Sequence, residues 1–237
     1  QPIIVMTGFM TEDQLDLFFE HQLSPVIYHS SQLDLIEQYN TSSQIDAWLK
    51  VDTGMHRLGF SSAHFPDVFE RLSALTCLRQ PLTVMTHLAD ADNLDLSFSQ
   101  QQLQLFSQLT ESITARKSVQ NSAGVVVAQD MLFDVVRPGI MLYGASPFSY
   151  RTPDELDIKP VMHLTTQLIA INALKKGDRI GYGATWQCPE DMPVGVIRMG
   201  YGDGYPRHID ENTPVLIAGQ QCPIVGRVSM DVMTVDI

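Results

Sequence analysis

The chain has 237 residues, 44% of them hydrophobic, and a formal net charge of -12 from 15 Lys and Arg against 27 Asp and Glu. That length suits one large domain or two modest ones. The acidic balance argues against a nucleic-acid-binding face, and no apolar run is long enough to span a bilayer. Cys77, Cys188 and Cys222 are odd in number and far apart. They suggest neither a disulfide framework nor a zinc site and fit a reducing, cytoplasmic compartment. The first residues and the last, Val232 to Ile237, both read as strands, so an internal fragment of a longer protein is expected.

Ile3 to Thr7 reads as a buried strand. Thr11 and Gln14 have the spacing of a capping box, and Leu15, Phe18 and Phe19 give the helix behind it an apolar face. Val26-Ile27-Tyr28 is a second strand. Ser30 or Ser31 caps a helix carrying Leu33, Leu35, Ile36 and Tyr39. Ala47 to Val51 is the third strand, followed by a helix over Ser62 to Leu75. Leu82 to Thr86 is the fourth strand, and Ser97 to Ala115 carries leucines and Phe106 at helical spacing. Ser118-Val119-Gln120 is the fifth strand, with a short helix from Gly124 to Gln129, and Phe133 to Val136 is the sixth.

Strands alternating with helices imply a parallel sheet. Six units do not close a (β/α)8 barrel, so a doubly wound open sheet is the alternative. If two units precede the chain, the strand at Ser118 becomes the seventh of a barrel and that at Phe133 the eighth. The loops after those two strands often hold a phosphate in such barrels. Here they are Asn121-Ser122-Ala123-Gly124 and Arg137-Pro138-Gly139-Ile140. Both offer backbone N–H groups and small residues. Beyond Lys159 the pattern changes. Met162 to Ile171 alternates, Val194 to Met199, Pro214 to Ile217 and Ile224 to Asp231 read as strands, and turns fall at Gly177-Asp178, Asp203-Gly204 and Gly219-Gln220. The expected organisation is α/β plus all-β: a TIM-type barrel lacking its first two units over residues 1–157, then a β domain over 158–237.

Several stretches carry side chains suited to chemistry. Lys50 lies inside an apolar strand, so its charge needs a partner or a chemical change. An ion pair with Asp52 is one solution. Arg57, on the loop above, can fork onto a carboxylate. His87 precedes Asp90 and Asp92, but no second histidine joins them, so hydrogen bonding or stacking fits better than metal binding. Tyr182 stands between Gly181 and Gly183, either as a turn aromatic or as a phenol that moves protons. The glycines of Met199 to Arg207 do not have dinucleotide-fingerprint spacing.

Together, Lys50–Phe60, His87–Asp92, Asn121–Gly124, Arg137–Gly144, Gly181–Trp186, Met199–Arg207 and Val225–Asp231 closely resemble the alanine racemases, in order along nearly the whole chain. The resemblance implies a pyridoxal 5'-phosphate enzyme that interconverts L- and D-alanine and supplies D-alanine for peptidoglycan. It also implies a homodimer whose active sites draw on both chains. By the same resemblance Tyr182 is the base for L-alanine, contributed to the other subunit. Arg57, Met230 and Asp231 bind substrate, and Lys50 is the lysine that is often carbamylated. Asn121, Ser122, Gly139, Ile140 and Tyr201 lie at the phosphate, Arg137 at the pyridine nitrogen and His87 beside the ring.

One departure matters. The family's cofactor lysine belongs to a Lys-Ala-Asn-Ala-Tyr-Gly motif, and the five lysines here, Lys50, Lys117, Lys159, Lys175 and Lys176, lie outside any such motif. The 237-residue chain is therefore expected to be inactive by itself. A non-catalytic pyridoxal-phosphate-binding barrel protein usually lacks the β domain. Barrel decarboxylases for basic amino acids favour other substrate residues. A racemase of broader range is the nearest rival.

Overall fold

The computed structural model describes residues 1–128, 132–210 and 212–237. They form two compact units, Gln1–Met162 and His163–Ile237. Unit 1 alternates strands and helices: β1 (Ile4–Val5), α1 (Glu12–Glu20), β2 (Ser24–Ile27), α2 (Ser30–Gln38), β3 (Trp48–Asp52), β4 (Phe60–Ser61), α3 (Phe65–Ser73), β5 (Thr83–Met85), α4 (Ser97–Thr110), β6 (Arg116–Ser118) and α5 (Ser122–Val127). The sheet runs β1-β2-β3-β5-β6, with β4 paired to β3, and all of its pairs are parallel. Neighbours follow chain order without reversal. That is the progression of a barrel wall, whereas a doubly wound sheet reverses order at a switch point. Among the described residues the wall does not close on itself.

Strand side chains alternate between two faces, and the wall uses both. Ile27, Leu49, Val51 and Val84 join Leu15, Phe18, Leu33, Phe65, Leu72 and Phe106 from the helices in one large core. Val26, Tyr28, Trp48 and Met85, with Val135 packed against them, form a second cluster on the opposite face. By the same alternation Lys50 shares the face of Trp48, not that of Leu49.

Unit 2 consists of β7 (Leu168–Leu174), β8 (Arg179–Ile180), β9 (Trp186–Gln187), β10 (Met192–Ile197), β11 (Pro214–Ile217), β12 (Gln220–Val225) and β13 (Met233–Asp236). Five strands make an antiparallel sheet in the order β11-β12-β13-β10-β7, and β8 pairs with β9. Ile197, Cys222, Ile224, Val228, Met233 and Val235 are its main core. No helix among the described residues is long and apolar enough to cross a membrane.

Several elements differ from the sequence reading. The strand at Ile3 to Thr7 shrinks to β1 and is not buried: Ile3 and Met6 are exposed, and among the described residues β1 pairs only with β2. The expected capping box is shifted. Thr11 Oγ1 accepts from Gln14 N, but Gln14 Oε1 accepts from Met10 N at 2.7 Å instead of from the cap itself. Helix α2 is capped by His29, whose Nδ1 accepts from Ser31 N, instead of by a serine. Helix α4 stops at Thr110 rather than Ala115. The fifth strand ends at Ser118, and α5 begins at Ser122 because Asn121 Oδ1 accepts from Gly124 N. The expected end of that helix, Gln129, lies outside the described residues. Phe133 to Val136 forms no full strand. It holds its place beside β6 by one parallel bridge, Ser118 to Val135, and by Val135 N donating to Lys117 O at 3.1 Å. Ile224 to Asp231 is not one strand either. It turns at Gly226, φ 72°, and the following residues loop before β13.

Phe106 is fully buried and meets Phe133 edge-on with ring centroids 5.5 Å apart. Phe106→Ala is expected to lower unfolding free energy by about 3–5 kcal/mol, read by denaturant titration; a loss below about 1 kcal/mol contradicts this packing.

Candidate active site

Because the wall is parallel, the C-terminal ends of its strands lie side by side. Lys50 lies in the middle of β3 and Asp52 ends it, Thr86 and His87 follow β5, Ser118 ends β6, and Arg137 follows the Val135 bridge. The structure thus gathers Lys50, Arg57, His87, Asn121, Ser122, Arg137, Gly139 and Ile140 along one rim of unit 1.

The loop after β3 is set by Asp52. One carboxylate oxygen accepts from Gly54 N at 2.9 Å and His56 N at 3.1 Å, and the other lies 3.0 Å from His56 Nδ1. Burial raises this carboxyl's pKa, but those hydrogen bonds outweigh it and hold the group below the usual carboxylate range. Gly59 returns the loop with φ 134°, and a Cβ there would sit 2.8 Å from Asp52 N. Asp52 is therefore not the ion-pair partner of Lys50. Among the described residues, the ion pairs do not involve Lys50, Arg57 or Arg137. Burial lowers the Lys50 pKa first, and the positive fields of Arg57 and then Arg137 lower it further, against a weaker pull from Asp52.

Arg137 is held by oxygens that carry no full charge. Its Nη1 donates to Ser118 Oγ, and its Nη2 donates to Thr86 O at 2.6 Å and Val119 O at 3.1 Å. Ser118 Oγ donates in turn to Val135 O at 2.7 Å. Burial pulls the guanidinium's pKa down to about 10, so it stays a cation at neutral pH. His87 Nδ1 lies 3.5 Å from Arg137 Nη2. Burial first, then Arg137, Arg57 and Lys50, push the His87 pKa down to about 4.

Ser122 Oγ accepts from Gly139 N at 2.8 Å and Met141 N at 3.4 Å, which brings the loops after β6 and after Val135 together. Gly139 faces open space, with nothing within 4 Å of a built Cβ. Asn121 is occupied by the scaffold: it caps α5 and donates to Leu88 O at 3.3 Å.

The remaining predicted residues belong to unit 2. Tyr182 is 62% exposed, on a 3-10 turn between Gly181 (φ 69°) and Gly183 (φ 79°). Tyr201 N donates to Ser229 O at 3.0 Å and Gly202 N to Met230 O at 2.8 Å. A Cβ on Gly200 would come within 2.2 Å of Met230 O, so glycine is required for the two loops to touch. Met230 is exposed, and Arg207 lies over the Tyr201 ring at 5.5 Å. Asp231 sits beside Gly202 in this loop pair.

Sequence reasoning missed the supports. Gln102, Thr53 and Thr86 are buried and hydrogen-bonded to one another or to the rim. The signal for Gln102 was its place next to Leu103 on the α4 stripe, obscured by exposed Gln100, Gln101 and Gln104 around it.

The alanine racemase N-terminal domain family matches residues 1–147, and the alanine racemase C-terminal domain family matches residues 161–237. The chain is 46% identical over 241 residues to an alanine racemase of Coxiella burnetii, covering 100% of this chain and 66% of the relative. It is 46% identical over 236 residues to an alanine racemase of Nitrosococcus oceani, with the same coverages. Among solved structures, the biosynthetic alanine racemase of Pseudomonas aeruginosa superposes with TM-score 0.92 at 36% identity, over 99% of this chain and 65% of that one. That of Acinetobacter baumannii gives TM-score 0.87 at 36% identity, over 100% and 66%. The chain thus spans about two thirds of the length of these relatives.

A His87 pKa of about 4, down from 6.5, predicts a neutral imidazole at pH 6, checked by the histidine ring resonances in NMR. Between those two values the unfolded chain binds a proton that the folded one refuses, so His87 makes stability fall as pH drops through that window, while above 6.5 it has no such effect. His87→Gln should flatten that part of the stability curve. A ring titrating at its ordinary value overturns the electrostatic reading.

Proposed function

The chain belongs to the alanine racemase family, and from that premise we propose that the full-length protein interconverts L- and D-alanine with pyridoxal 5'-phosphate in the cytoplasm. The observation that carries the reading is the rim of unit 1. Two guanidinium groups, Arg57 and Arg137, converge with Lys50 beside a depressed-pKa histidine, and among the described residues none of the three has an ion-pair partner. Such a place suits a phosphate-bearing cofactor and the carboxylate of an amino-acid substrate.

The residues present fit the cofactor. Ser122 Oγ, with its proton free to donate while it accepts from Gly139, and the open backbone at Gly139 and Ile140 suit a phosphate. Arg137 suits the pyridine nitrogen, since a guanidinium has donors only and does not give up its proton. Neutral His87 suits a place beside the ring. When bound, pyridoxal phosphate draws electrons from the substrate's amino nitrogen and so acidifies the Cα proton.

Arg57 is then the fork for the substrate carboxylate, on a loop whose shape Asp52 sets. Lys50 is the group proposed to carry a carbamate. Its neutral amine nitrogen adds to the carbon of carbon dioxide, an N–C bond forms as one C=O π bond opens onto oxygen, and the nitrogen loses a proton to solvent. The product is an anion that can pair with Arg57 where the ammonium would repel it. Inverting Cα takes a base on each face, and Tyr182 is the proposed base for L-alanine. Its exposure on unit 2, together with that of Met230, supports a homodimer in which these side chains, with Asp231 and Tyr201, serve the partner's cofactor.

The test uses the full-length protein. L-Alanine should yield D-alanine, and Tyr182→Phe should slow the L-to-D direction by about 10²–10⁴-fold with the cofactor absorbance retained. Cofactor binding without racemisation of any amino acid would replace this reading with that of a binding protein.

A further inference from the structure

We propose that Gln102, on α4 and outside the residues expected to touch cofactor or substrate, is a positioning residue that holds the Arg57 loop and His87 in register with each other. The inference rests on the proposed function, and it deepens that reading by naming what aligns the site.

Gln102 is fully buried, and its amide is engaged at both ends. Nε2 donates to Thr53 Oγ1 at 3.2 Å and to His87 O at 3.0 Å, and Oε1 accepts from Ala89 N at 2.9 Å. Both amide protons have acceptors and the carbonyl has a donor. The contacts to His87 O and Ala89 N flank Leu88, so the side chain grips this segment as a neighbouring strand would, through one C=O and one N–H. Two-point contact fixes the rotation of the segment, and with it the direction in which the His87 ring leaves the backbone. Thr53 carries the grip to the other loop. Its hydroxyl lies 2.8 Å from Thr86 Oγ1, and it directly follows Asp52, which shapes the turn leading to Arg57.

The same amide reaches Arg137 indirectly, because the Thr86 carbonyl takes the 2.6 Å bond from Arg137 Nη2. Packing supports the tie: a Cβ on Gly54 would meet the Phe98 ring at 3.1 Å and Gln102 Cγ at 3.5 Å. The start of α4 is pressed against the loop whose arginine would bind substrate. A lone buried glutamine needs only to be satisfied. This one is satisfied by two different loops, each of which carries a cofactor- or substrate-facing side chain.

Gln102→Glu separates the roles. It keeps the size and the acceptor for Ala89 N, but it removes the two N–H donations to Thr53 and His87. Gln102→Leu removes all three bonds, and Phe106→Ala weakens the same helix without touching either loop. In the full-length protein, Gln102→Glu should raise KM for L-alanine about five- to ten-fold, the loss expected of one or two hydrogen bonds. It should also alter the visible circular dichroism of the bound cofactor, and Gln102→Leu should do both more strongly. Phe106→Ala should lower the unfolding temperature without either change. The proposal is overturned if both Gln102 variants keep the parent's KM and dichroism, or if Phe106→Ala reproduces their changes. If the parent binds pyridoxal phosphate but does not racemise alanine, the proposed function fails, and the dichroism alone still decides the role of Gln102.

Discussion

The rim of unit 1 depends on a guanidinium held by neutral oxygens. Arg137 donates to Ser118 Oγ, Thr86 O and Val119 O, acceptors at the ends of β5 and β6. The Thr86 and Val119 carbonyls lie just past the ends of β5 and β6, and the arginine donates to both. The cation thus serves as a splice where the ladder stops, and the strand ends satisfy its donors without neutralising it. A carboxylate in the same place would have cancelled the charge and left the rim electrically quiet. Burial is the first cause of the lowered pKa of His87 and Lys50, and the positive field that lowers both further follows from this choice of acceptors.

That field makes sense of a lysine in the middle of a buried strand. In β3 the two-residue alternation puts Leu49 and Val51 into the helix-facing core and leaves Lys50 on the face of Trp48. An ammonium there has Arg57 and Arg137 as electrostatic neighbours, and Asp52 is committed to the Gly54–His56 turn. Neutral amine and carbamate are both better suited to that site than the charged form, and only the carbamate would attract the neighbouring arginines. The electrostatics and the proposed chemistry of Lys50 therefore point the same way.

Much of this was legible in the sequence, for identifiable reasons. The strand–helix alternation and the β-rich second part are period signals, and both appear as two separate units. The rim residues were legible as motifs, since Lys50, Arg57, His87, Ser122 and Arg137 each stand near a strand end that the pattern marks. What was not legible depends on tertiary partners. Phe133 to Val136 has strand composition, yet its backbone makes a single bridge because Arg137 N is drawn to Gln120 O at 2.9 Å. Ile224 to Asp231 is apolar enough for a strand, but Gly226 breaks it and Ser229 and Met230 give their carbonyls to the Tyr201 loop. The burial expected of Ile3 to Thr7 came from composition, and composition cannot see that β1 has one strand partner among the described residues.

Gln102 shows the deeper reason why supports escape a reading by residue type. A catalytic lysine or arginine announces itself by charge, whereas a positioning glutamine is chemically the same as its solvated neighbours Gln100, Gln101 and Gln104. Only its rotation about the helix axis distinguishes it: one step from Leu103 on the α4 stripe, it faces inward where the others face water. Gln32 on α2 repeats the device at the ends of β1 and β2. It is fully buried, with Oε1 accepting from Tyr28 N at 2.9 Å and Nε2 donating to Phe9 O at 3.1 Å. In each case an inward amide on the helix behind a strand answers the loose backbone groups left where the ladder ends. A wall of parallel strands leaves such groups at every C-terminal end, so the edge that must present chemistry is also the edge most in need of polar bracing.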